Sequence, residues 1–411
     1  MSTSRKIAYC AWLIASIFYA YQYVLRVMPN IMLTDIMHQF NIDAALFGQF
    51  SGAYYIGYCL MHLPIGIMLD RFGPKKVMSA CILMTVIGLL PIIFAKYWIY
   101  PVIGRMLIGI GSSAAILGAF KIIRMIFSEQ NFTKMLSFTV VIGLLGGIYG
   151  GLPISYLCDA YGYKAVVEIL AILGVAFACI TYFLVPNSTE DHESTVISDL
   201  KTVFTNRKVI LVCCLAGLMV GPMEGFADAW GSEFLKQTYA FDAKSAHYLT
   251  SMIYIGMCFA PLLSRIAEKT GAYIKTIAGA GFIMLSVFAL LISGILNFNT
   301  ITVGFFIVGI CCAYQILAIY IASTYVSEKV AGLTTAVANM IIMSFGYLFH
   351  STIGIVIKSF STAGNTLAFS YGICIIPFTL LIGAFGFFII SLQERRADKI
   401  LQFNTVELVE E

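Results

Sequence analysis

Three charged residues lie inside otherwise apolar stretches of this 411-residue chain and are well placed to do chemistry. Arg26 lies in the first apolar stretch, and Glu224 and Asp228 lie four residues apart in the seventh, so the two acids share one face of a helix. An ionised side chain in apolar surroundings is costly unless it is paired or hydrated. We predict that Arg26 pairs with Asp228 or Glu224. The alternative for Arg26 is extension to the nearest polar surface.

A polar stripe surrounds Arg26 on its own helix, because Tyr19, Gln22, Tyr23 and Arg26 recur at i, i+3, i+4 and i+7. Polar and aromatic residues in other apolar stretches complete a candidate binding surface for a small polar molecule. For each tyrosine, simple helix packing is the competing interpretation. The further candidates are Tyr54, Tyr55, Tyr58, Arg105, Ser112, Tyr254, Tyr314, Gln315 and Asn339. Arg105 is the best candidate to bind an anionic group.

The composition places these residues in a membrane. Apolar residues make up 60% of the chain, charged residues 11%, and the mean hydropathy is +0.90. A membrane-spanning helix needs about 20 apolar residues. We predict an all-α membrane protein with twelve spans at 7–29, 45–69, 77–95, 98–123, 135–156, 165–185, 209–230, 247–263, 276–296, 300–322, 333–357 and 367–392.

A polar interruption between the sixth and seventh spans divides the chain into two sets of six helices. We predict an N-terminal bundle at 1–185, a cytoplasmic linker at 186–208, a C-terminal bundle at 209–392 and a cytoplasmic tail at 393–411. Spacings recur at an offset near 200 residues, which indicates an internal repeat. Most Lys and Arg residues outside the spans fall on one side when both termini are cytoplasmic, as expected for a multi-pass protein.

The turn after the second span carries the pattern Gly66-x-x-x-Asp70-Arg71-x-Gly73-x-Lys75-Lys76. This pattern resembles the signature loop of the major facilitator superfamily of secondary transporters, which implies two pseudo-symmetric six-helix bundles. Glu268 and Lys269 stand at the repeat-related turn. We predict that both turns form an inner gate, while Arg26, Glu224 and Asp228 form an outer gate. A plain basic turn would explain the lysines but not the glycine and aspartate spacing.

Segments 19–30 and 224–235 are similar to the first and seventh helices of phagosomal nutrient transporters of intracellular bacteria such as Legionella and Francisella. The resemblance implies a bacterial inner-membrane importer of a small polar nutrient, first of all an amino acid. Proton coupling is left open, with Glu224 as the candidate proton carrier or a permanently paired gate residue. The alternatives are a nucleoside or dipeptide transporter, an exporter of drugs or metabolites, and a non-transporting membrane sensor.

Other classes of protein find no support in the sequence. The five histidines and eleven cysteines lack metal-ligand spacing, and no phosphate-binding Gly-x-x-x-x-Gly-Lys loop is present. The scattered basic residues do not suggest nucleic acid. We therefore expect a monomer that is not an enzyme, without cofactor or metal, whose partners are a small-molecule substrate, a proton where transport is coupled, and the lipid bilayer.

Overall fold

The computed structural model describes the backbone of residues 2–187 and 196–410 and the side chains of residues 8–132, 134–187 and 199–393. Linker residues 188–195 and the side chains of tail residues 394–411 lie outside the described residues. Regular structure in the described part is entirely helical. The helices are α1 (Ser2–Phe40), α2 (Ala44–Phe72), α3 (Pro74–Phe94), α4 (Ile99–Ile126), α5 (Glu129–Tyr149), α6 (Leu152–Tyr161), α7 (Tyr163–Leu184), α8 (Val196–Thr205), α9 (Arg207–Gly225), a π-helical segment (Phe226–Trp230), α10 (Gly231–Tyr239), α11 (Ala243–Met257), α12 (Pro261–Thr270), α13 (Tyr273–Ile292), α14 (Phe298–Cys311), α15 (Tyr314–Thr324), α16 (Glu328–Ser359), a 3₁₀ turn (Ser361–Ala363) and α17 (Asn365–Glu410).

Among the described residues, eleven stretches are helical, long and apolar enough to cross a membrane. The number becomes twelve, as predicted, when α11 and α12 count as one span, bent by 40°. Pro261 begins α12, and proline cannot donate the backbone hydrogen bond that would continue a helix. Three other spans also consist of consecutive helices: α5 with α6, α9 through the π segment to α10, and α14 with α15.

The turn between α2 and α3 is the single residue Gly73. Its φ of +82° favours glycine because a Cβ atom would be strained there. Pro74 follows at the first position of α3, where no backbone N–H is needed. The Asn187 side chain donates a 3.3 Å hydrogen bond to the Phe72 carbonyl, so the start of the predicted linker packs on this turn.

Helices α2 and α16 run antiparallel and cross closely near the loop at residues 41–43. A Cβ atom added at Gly48 would collide with the His350 carbonyl, and one at Gly354 would collide with the Ala44 carbonyl. Farther along, Cys59 on α2 still donates a 3.3 Å hydrogen bond to the Met340 carbonyl of α16. Among the described residues, the nearest atom to a Cβ at Gly66 is 4.0 Å away, and none lies within 4 Å of a Cβ at Gly332. The close glycine contacts of the crossing therefore lie at the 41–43 end.

A ladder of glycines along α5 and the two residues after it allows two other helices to approach. Cβ atoms at Gly143, Gly146 and Gly150 would meet α1, whereas those at Gly147 and Gly151 would meet α11. Small residues allow helix backbones to pack closely in a membrane, where no hydrophobic force drives helices together. The ladder thus joins the fifth span to the first and the eighth spans.

Two glycine crossings show the internal repeat in three dimensions. Gly57 on α2 packs against the backbone of α4 beside Gly109, and Gly256 on α11 packs against the backbone of α14 beside Gly309. The offset is 256 − 57 = 199 residues for the first members and 309 − 109 = 200 for the second. The predicted fold, two pseudo-symmetric bundles of six helices, agrees with this geometry.

The tight crossing predicts a position-dependent response to an added side chain. Gly48→Val should destabilise the protein by about 1–3 kcal/mol, because the new methyl groups would meet the α16 backbone. Gly332→Val adds the same side chain to open space on α16 and serves as the control. Thermal unfolding in detergent measures both effects. An unchanged melting temperature for Gly48→Val would contradict the crossing.

Candidate functional site

The three charged residues meet where α1 faces the end of α9 and the π segment. Arg26 is 5% exposed, Glu224 is 8% exposed and Asp228 is fully buried. The Arg26 Nε atom donates a 2.6 Å hydrogen bond to Asp228 Oδ2, and its Nη2 atom donates to Glu224 Oε2. The predicted pairing is therefore present, with both acids as partners at once. It joins the first span to the seventh.

Asp228 lies inside the π segment, where the Gly231 N–H bonds to the Phe226 carbonyl five residues earlier. A π turn adds one residue to a helical turn and is common at functional sites. Its effect here is to rotate the residues after Phe226 relative to α9. Glu224 and Asp228 consequently reach different nitrogen atoms of one guanidinium group.

Two tyrosines supply further hydrogen bonds to the acids. Tyr55 on α2 donates to Asp228 Oδ2 at 2.5 Å and lies 3.0 Å from Glu224 Oε2, and Tyr254 on α11 donates to Asp228 Oδ1. Three donors therefore surround Asp228, an arrangement that suits an ionised carboxylate. The Arg26 guanidinium carbon also lies 4.9 Å from the centre of the Tyr23 ring. Four helices and the π segment thus meet at one buried cluster.

Arg105 holds the backbone of α1 instead of facing an open cavity. Its two Nη atoms donate hydrogen bonds to the carbonyls of Leu25, at 2.5 Å, and Arg26, at 2.6 Å. The Leu25 carbonyl is available because its usual helical donor would be residue 29, and Pro29 has no N–H. Arg105 is 1% exposed and lies over the Tyr54 ring, with 5.1 Å from its guanidinium carbon to the ring centre. It therefore positions Arg26.

The remaining predicted binding residues line two sides of this cluster. Tyr54 donates a 2.6 Å hydrogen bond to Gln22, and the rings of Tyr19 and Tyr23 pack edge to face at 5.2 Å. On the other side Gln315 donates to Asn339 at 3.2 Å. The hydroxyl of Ser112 has no hydrogen-bond partner among the described residues, and Tyr58 stacks on Tyr54.

A small cavity lies beside Glu224 within the second half of the chain. Its volume of about 10 Å³ is near the minimum of about 10–15 Å³ that one water molecule needs. The walls include Glu224, Tyr254, Tyr314 and Gln315. Within the described part of the chain, no group of three or more His, Cys, Asp or Glu side chains is arranged to hold a metal ion. The cluster can bind protons and anionic groups through the chemistry of its carboxylates and guanidinium groups.

The residues of the predicted inner gate contact their own half of the chain. Asp70 accepts a 2.9 Å ion pair from Lys121, and the Lys75 ammonium lies 4.7 Å from the centre of the Tyr182 ring. The Arg71 guanidinium carbon lies 5.7 Å from the Phe72 ring centre. Glu268 and Lys269 lie in the last turn of α12. A latch between the two turns stays a prediction.

Sequence reasoning missed further contacts that close the 41–43 end. Asp43 accepts a 2.8 Å ion pair from Lys358, and Asn30 bonds both the Ala227 carbonyl at 3.3 Å and the Ser232 N–H at 3.4 Å. Trp230 donates a 3.2 Å hydrogen bond to the His350 carbonyl. Asn30 lies four residues after Arg26, on the same face of α1, and this spacing could have identified it from the sequence.

Comparison with known proteins identifies the class that this fold and site define. The sequence profile of the Major Facilitator Superfamily matches residues 12–351. The chain belongs to this superfamily of membrane transporters, whose members are not enzymes. It is a multi-pass membrane protein.

Two relatives illustrate how distant the known sequences are. The uncharacterized transporter YybO of Bacillus subtilis (strain 168) is 26% identical over 260 residues, covering 55% of this chain and 57% of that protein. The probable galactarate/D-glucarate transporter GarP of Escherichia coli (strain K12) is 23% identical over 219 residues, covering 49% of this chain and 47% of that protein. The chain therefore spans about half the length of the curated relatives that it matches.

Solved structures share the fold over nearly the whole chain. A bacterial homolog of the human lysosomal transporter Spinster, in an inward-facing and unoccupied conformation, has a TM-score of 0.74 at 15% identity and covers 94% of this chain and 97% of its own. The nucleoside transporter NupG has a TM-score of 0.74 at 16% identity, with coverages of 92% and 99%. The resemblance to transporters of Legionella and Francisella stays a prediction.

The ion cluster predicts that charge reversal at one residue is rescued by the opposite change at its partner. Arg26→Asp or Asp228→Arg alone should destabilise the protein by about 3–5 kcal/mol, because either leaves an uncompensated buried charge. The double variant should recover only part of this loss, because Tyr55 and Tyr254 would face a donor at position 228 in place of the carboxylate to which they donate in the wild type. Thermal unfolding of all four proteins gives the coupling. Additive effects of the two changes would contradict the pairing.

The Asp43–Lys358 pair predicts a small, pH-dependent stabilisation at the 41–43 end. Partial burial alone would raise the pKa of Asp43, but the Lys358 ammonium and the Leu46 N–H hold that pKa below its ordinary value. The pair therefore stabilises the fold above the ordinary aspartate pKa of about 3.9, and the contribution disappears as the pH falls through the lowered folded pKa.

Two substitutions separate the roles of Asp43. Asp43→Asn retains a side chain that caps α2 but removes the charge, so it should cost about 1 kcal/mol or less at pH 7. Asp43→Ala should cost about 1 kcal/mol more, because the cap is also lost. Thermal unfolding at pH 7 and below pH 4 tests both. An Asn variant as unstable as the Ala variant at pH 7 would contradict this division.

Proposed function

We propose that this transporter imports a small polar nutrient bearing a carboxylate, with an amino acid as the first candidate, together with a proton. The observation that carries the proposal is the buried bond of one guanidinium to two carboxylates from the other half of the chain. A membrane-embedded ionic cluster is costly and typically marks a transport pathway. Its position at the junction of the halves suits a site that opens alternately to either side.

In this proposal, the bundle at 1–185 moves against the bundle at 209–392, and residues 186–208 connect them. The 41–43 end is held closed by the glycine crossing of α2 and α16 and by the ion cluster. We assign the Gly73 end as the open side, because the close glycine contacts and the ion cluster both lie toward the 41–43 end. The distribution of Lys and Arg favours cytoplasmic termini in a bacterial inner membrane, and in that orientation the Gly73 end faces inward.

The net charge of the cluster links substrate binding to proton binding in this proposal. With both acids ionised, Arg26 and Arg105 are balanced by Glu224 and Asp228. A proton on Glu224 removes one negative charge and frees the Arg26 Nη2 atom for a substrate carboxylate. Proton and anion would therefore bind together, and the ion pair would re-form after both have left. The small cavity beside Glu224 lies where such a substrate would enter.

Organic-acid anions are the second candidate substrates. The names of two relatives, the probable galactarate/D-glucarate transporter and a probable sulfoacetate transporter, refer to acidic molecules. Similar structures include a nucleoside transporter and a D-xylose–proton symporter, so neutral substrates stay among the alternatives. The buried Arg26 favours an anionic group in either candidate class.

Uptake into proteoliposomes tests the proposal. The purified protein is reconstituted and given an inward proton gradient. Three radiolabelled probes are tested separately: a mixture of the standard amino acids, D-glucarate, and adenosine. We expect accumulation of the amino-acid mixture that stops when a protonophore collapses the gradient. Accumulation of D-glucarate alone would support the second candidate. Gradient-driven loss of preloaded probe would instead indicate an exporter.

The proton role of Glu224 predicts a separation of coupling from exchange. Glu224→Gln keeps the size and hydrogen-bonding capacity of the side chain but cannot ionise, so gradient-driven uptake should fall at least about tenfold. Exchange of internal for external probe without a gradient should stay within about twofold, because it needs no net proton movement. Glu233→Gln, at an acid that pairs with Lys236, is the control. Equal loss of both activities in Glu224→Gln would contradict a coupling role.

A further inference from the structure

His350 is a buried titratable side chain that the proposed mechanism leaves unused. It lies on α16 at the centre of the tight crossing with α2 and is fully buried. Its ring centre is 5.1 Å from that of Tyr55, the residue that contacts both acids of the cluster. Its carbonyl accepts the Trp230 hydrogen bond and faces Gly48. His350 therefore touches the crossing and the ion cluster together.

The hydrogen bonds of His350 define its protonation state in this conformation. Nδ1 lies 2.7 Å from the Gly346 carbonyl, and because a carbonyl can only accept, Nδ1 carries the hydrogen. Nε2 has no hydrogen-bond partner among the described residues. A neutral ring leaves a lone pair at Nε2. A protonated ring would leave a buried N–H donor without an acceptor, which is costly.

The surrounding charges act in opposite directions. Asp228 on the π segment attracts a proton on His350, whereas Arg26 on α1 and Arg105 on α4 repel it. Tyr55 is the titratable group that α2 presents, and Glu224 on α9 connects to it through the Tyr55 hydroxyl. Because Asp228 already accepts bonds from Arg26 and two tyrosines, it has little capacity left for an imidazolium.

We propose that His350 is the residue through which the coupling proton enters, and that the α2–α16 crossing closes only after His350 has passed this proton to Glu224. In the open state water reaches the ring, and Nε2 takes a proton from the solution at the 41–43 end. The imidazolium then gives its Nε2 proton to the Glu224 carboxylate, which leaves a neutral imidazole and a carboxylic acid. The Tyr55 hydroxyl lies beside Glu224 to relay it. The proposal rests on proton-coupled import.

The sequence of steps has a functional consequence. A protonated His350 keeps the crossing open, so the outer end cannot close until Glu224 holds the proton. Closure without the coupling proton would require an ionised Glu224, which binds Arg26 and excludes a substrate carboxylate. His350 would thus prevent the two halves from closing over a bound substrate before the proton has moved from His350 to Glu224.

The pH profile of uptake tests this role. His350→Asn keeps a donor near the Nδ1 position for the Gly346 carbonyl but cannot take up a proton. We expect gradient-driven uptake of the radiolabelled amino-acid mixture to fall at least about tenfold and to lose its dependence on external pH between 5 and 8. Exchange without a gradient should persist. Ser351→Ala, at a neighbouring buried hydroxyl without a described partner, is the packing control and should resemble the wild type.

The outcomes separate this inference from the proposed function. An uncoupled wild type would overturn proton-coupled import itself. A Glu224→Gln variant that stays coupled would overturn Glu224 as the proton carrier and, with it, the transfer from His350. A coupled wild type with an uncoupled Glu224→Gln variant and an unchanged His350→Asn profile would overturn the role of His350 alone. Equal loss of uptake and exchange in His350→Asn would show a structural role and would also overturn the inference.

A distance measurement provides a second test of the proposal if His350→Asn does not fold. Spin labels at residues 41 and 361, attached through noncanonical amino acids because the chain has eleven cysteines, report the separation of the halves at the 41–43 end. In the wild type, lowering the pH from 8 to 5 should increase the share of long distances, and in His350→Gln the increase should be absent. An unchanged distribution in the wild type would overturn the proposal.

Discussion

The bond of Arg26 to Asp228 and Glu224 is the interaction on which the rest of the structure depends. Removing three charges from water costs several kcal/mol for each ion, and their attraction offsets this only with good geometry and additional hydrogen bonds. The chain supplies these bonds from Tyr55 and Tyr254 and fixes the α1 backbone with Arg105. Each of these residues comes from a different helix. The cluster therefore forms only when the helices of both halves have come together at one end.

The glycine crossings make this closed arrangement possible. Tyr55 can reach the acids because Gly346 leaves space for its ring, and Tyr254 can reach Asp228 because Gly147 leaves space on α5. Larger residues at these glycines would hold the helices apart and remove two donors from Asp228. Packing and electrostatics thus favour the same closed state. Disrupting the packing weakens the ion pairs, and disrupting the ion pairs weakens the packing. Because of this mutual dependence, a tightly packed interface can have two discrete states instead of a continuous range.

The fold and part of the site were predictable from sequence because their signals are local. Twelve apolar runs indicate twelve spans, and a rise of 1.5 Å per residue places Arg26 and Asp228 at a similar depth. The bonds of Arg105 were not predicted, although Pro29 removes the donor of the Leu25 carbonyl and so marks an acceptor on α1. The π segment leaves no periodic signal, because one extra residue in a turn shifts the faces of a helix without changing its hydropathy. The position of His350 depends on how two distant helices cross, which a single sequence does not encode locally.

The two ends of the molecule are held by unequal forces, and this inequality matters for alternating access. At the 41–43 end, buried ions, tyrosines and glycine contacts all join the two halves. At the Gly73 end, the Asp70–Lys121 pair lies within one half, and Asp70 is partly exposed, so solvent screening weakens that attraction. In the proposed mechanism, a substrate that binds at the cluster would compete with the ion pairs that close the 41–43 end. An anion that arrives with a proton would do so directly, since it would replace Glu224 as the partner of Arg26 and leave the charge of the cluster unchanged. A neutral molecule could not replace Glu224 in this way. The cluster of Arg26, Arg105, Glu224 and Asp228 therefore supports the proposal of an anionic substrate.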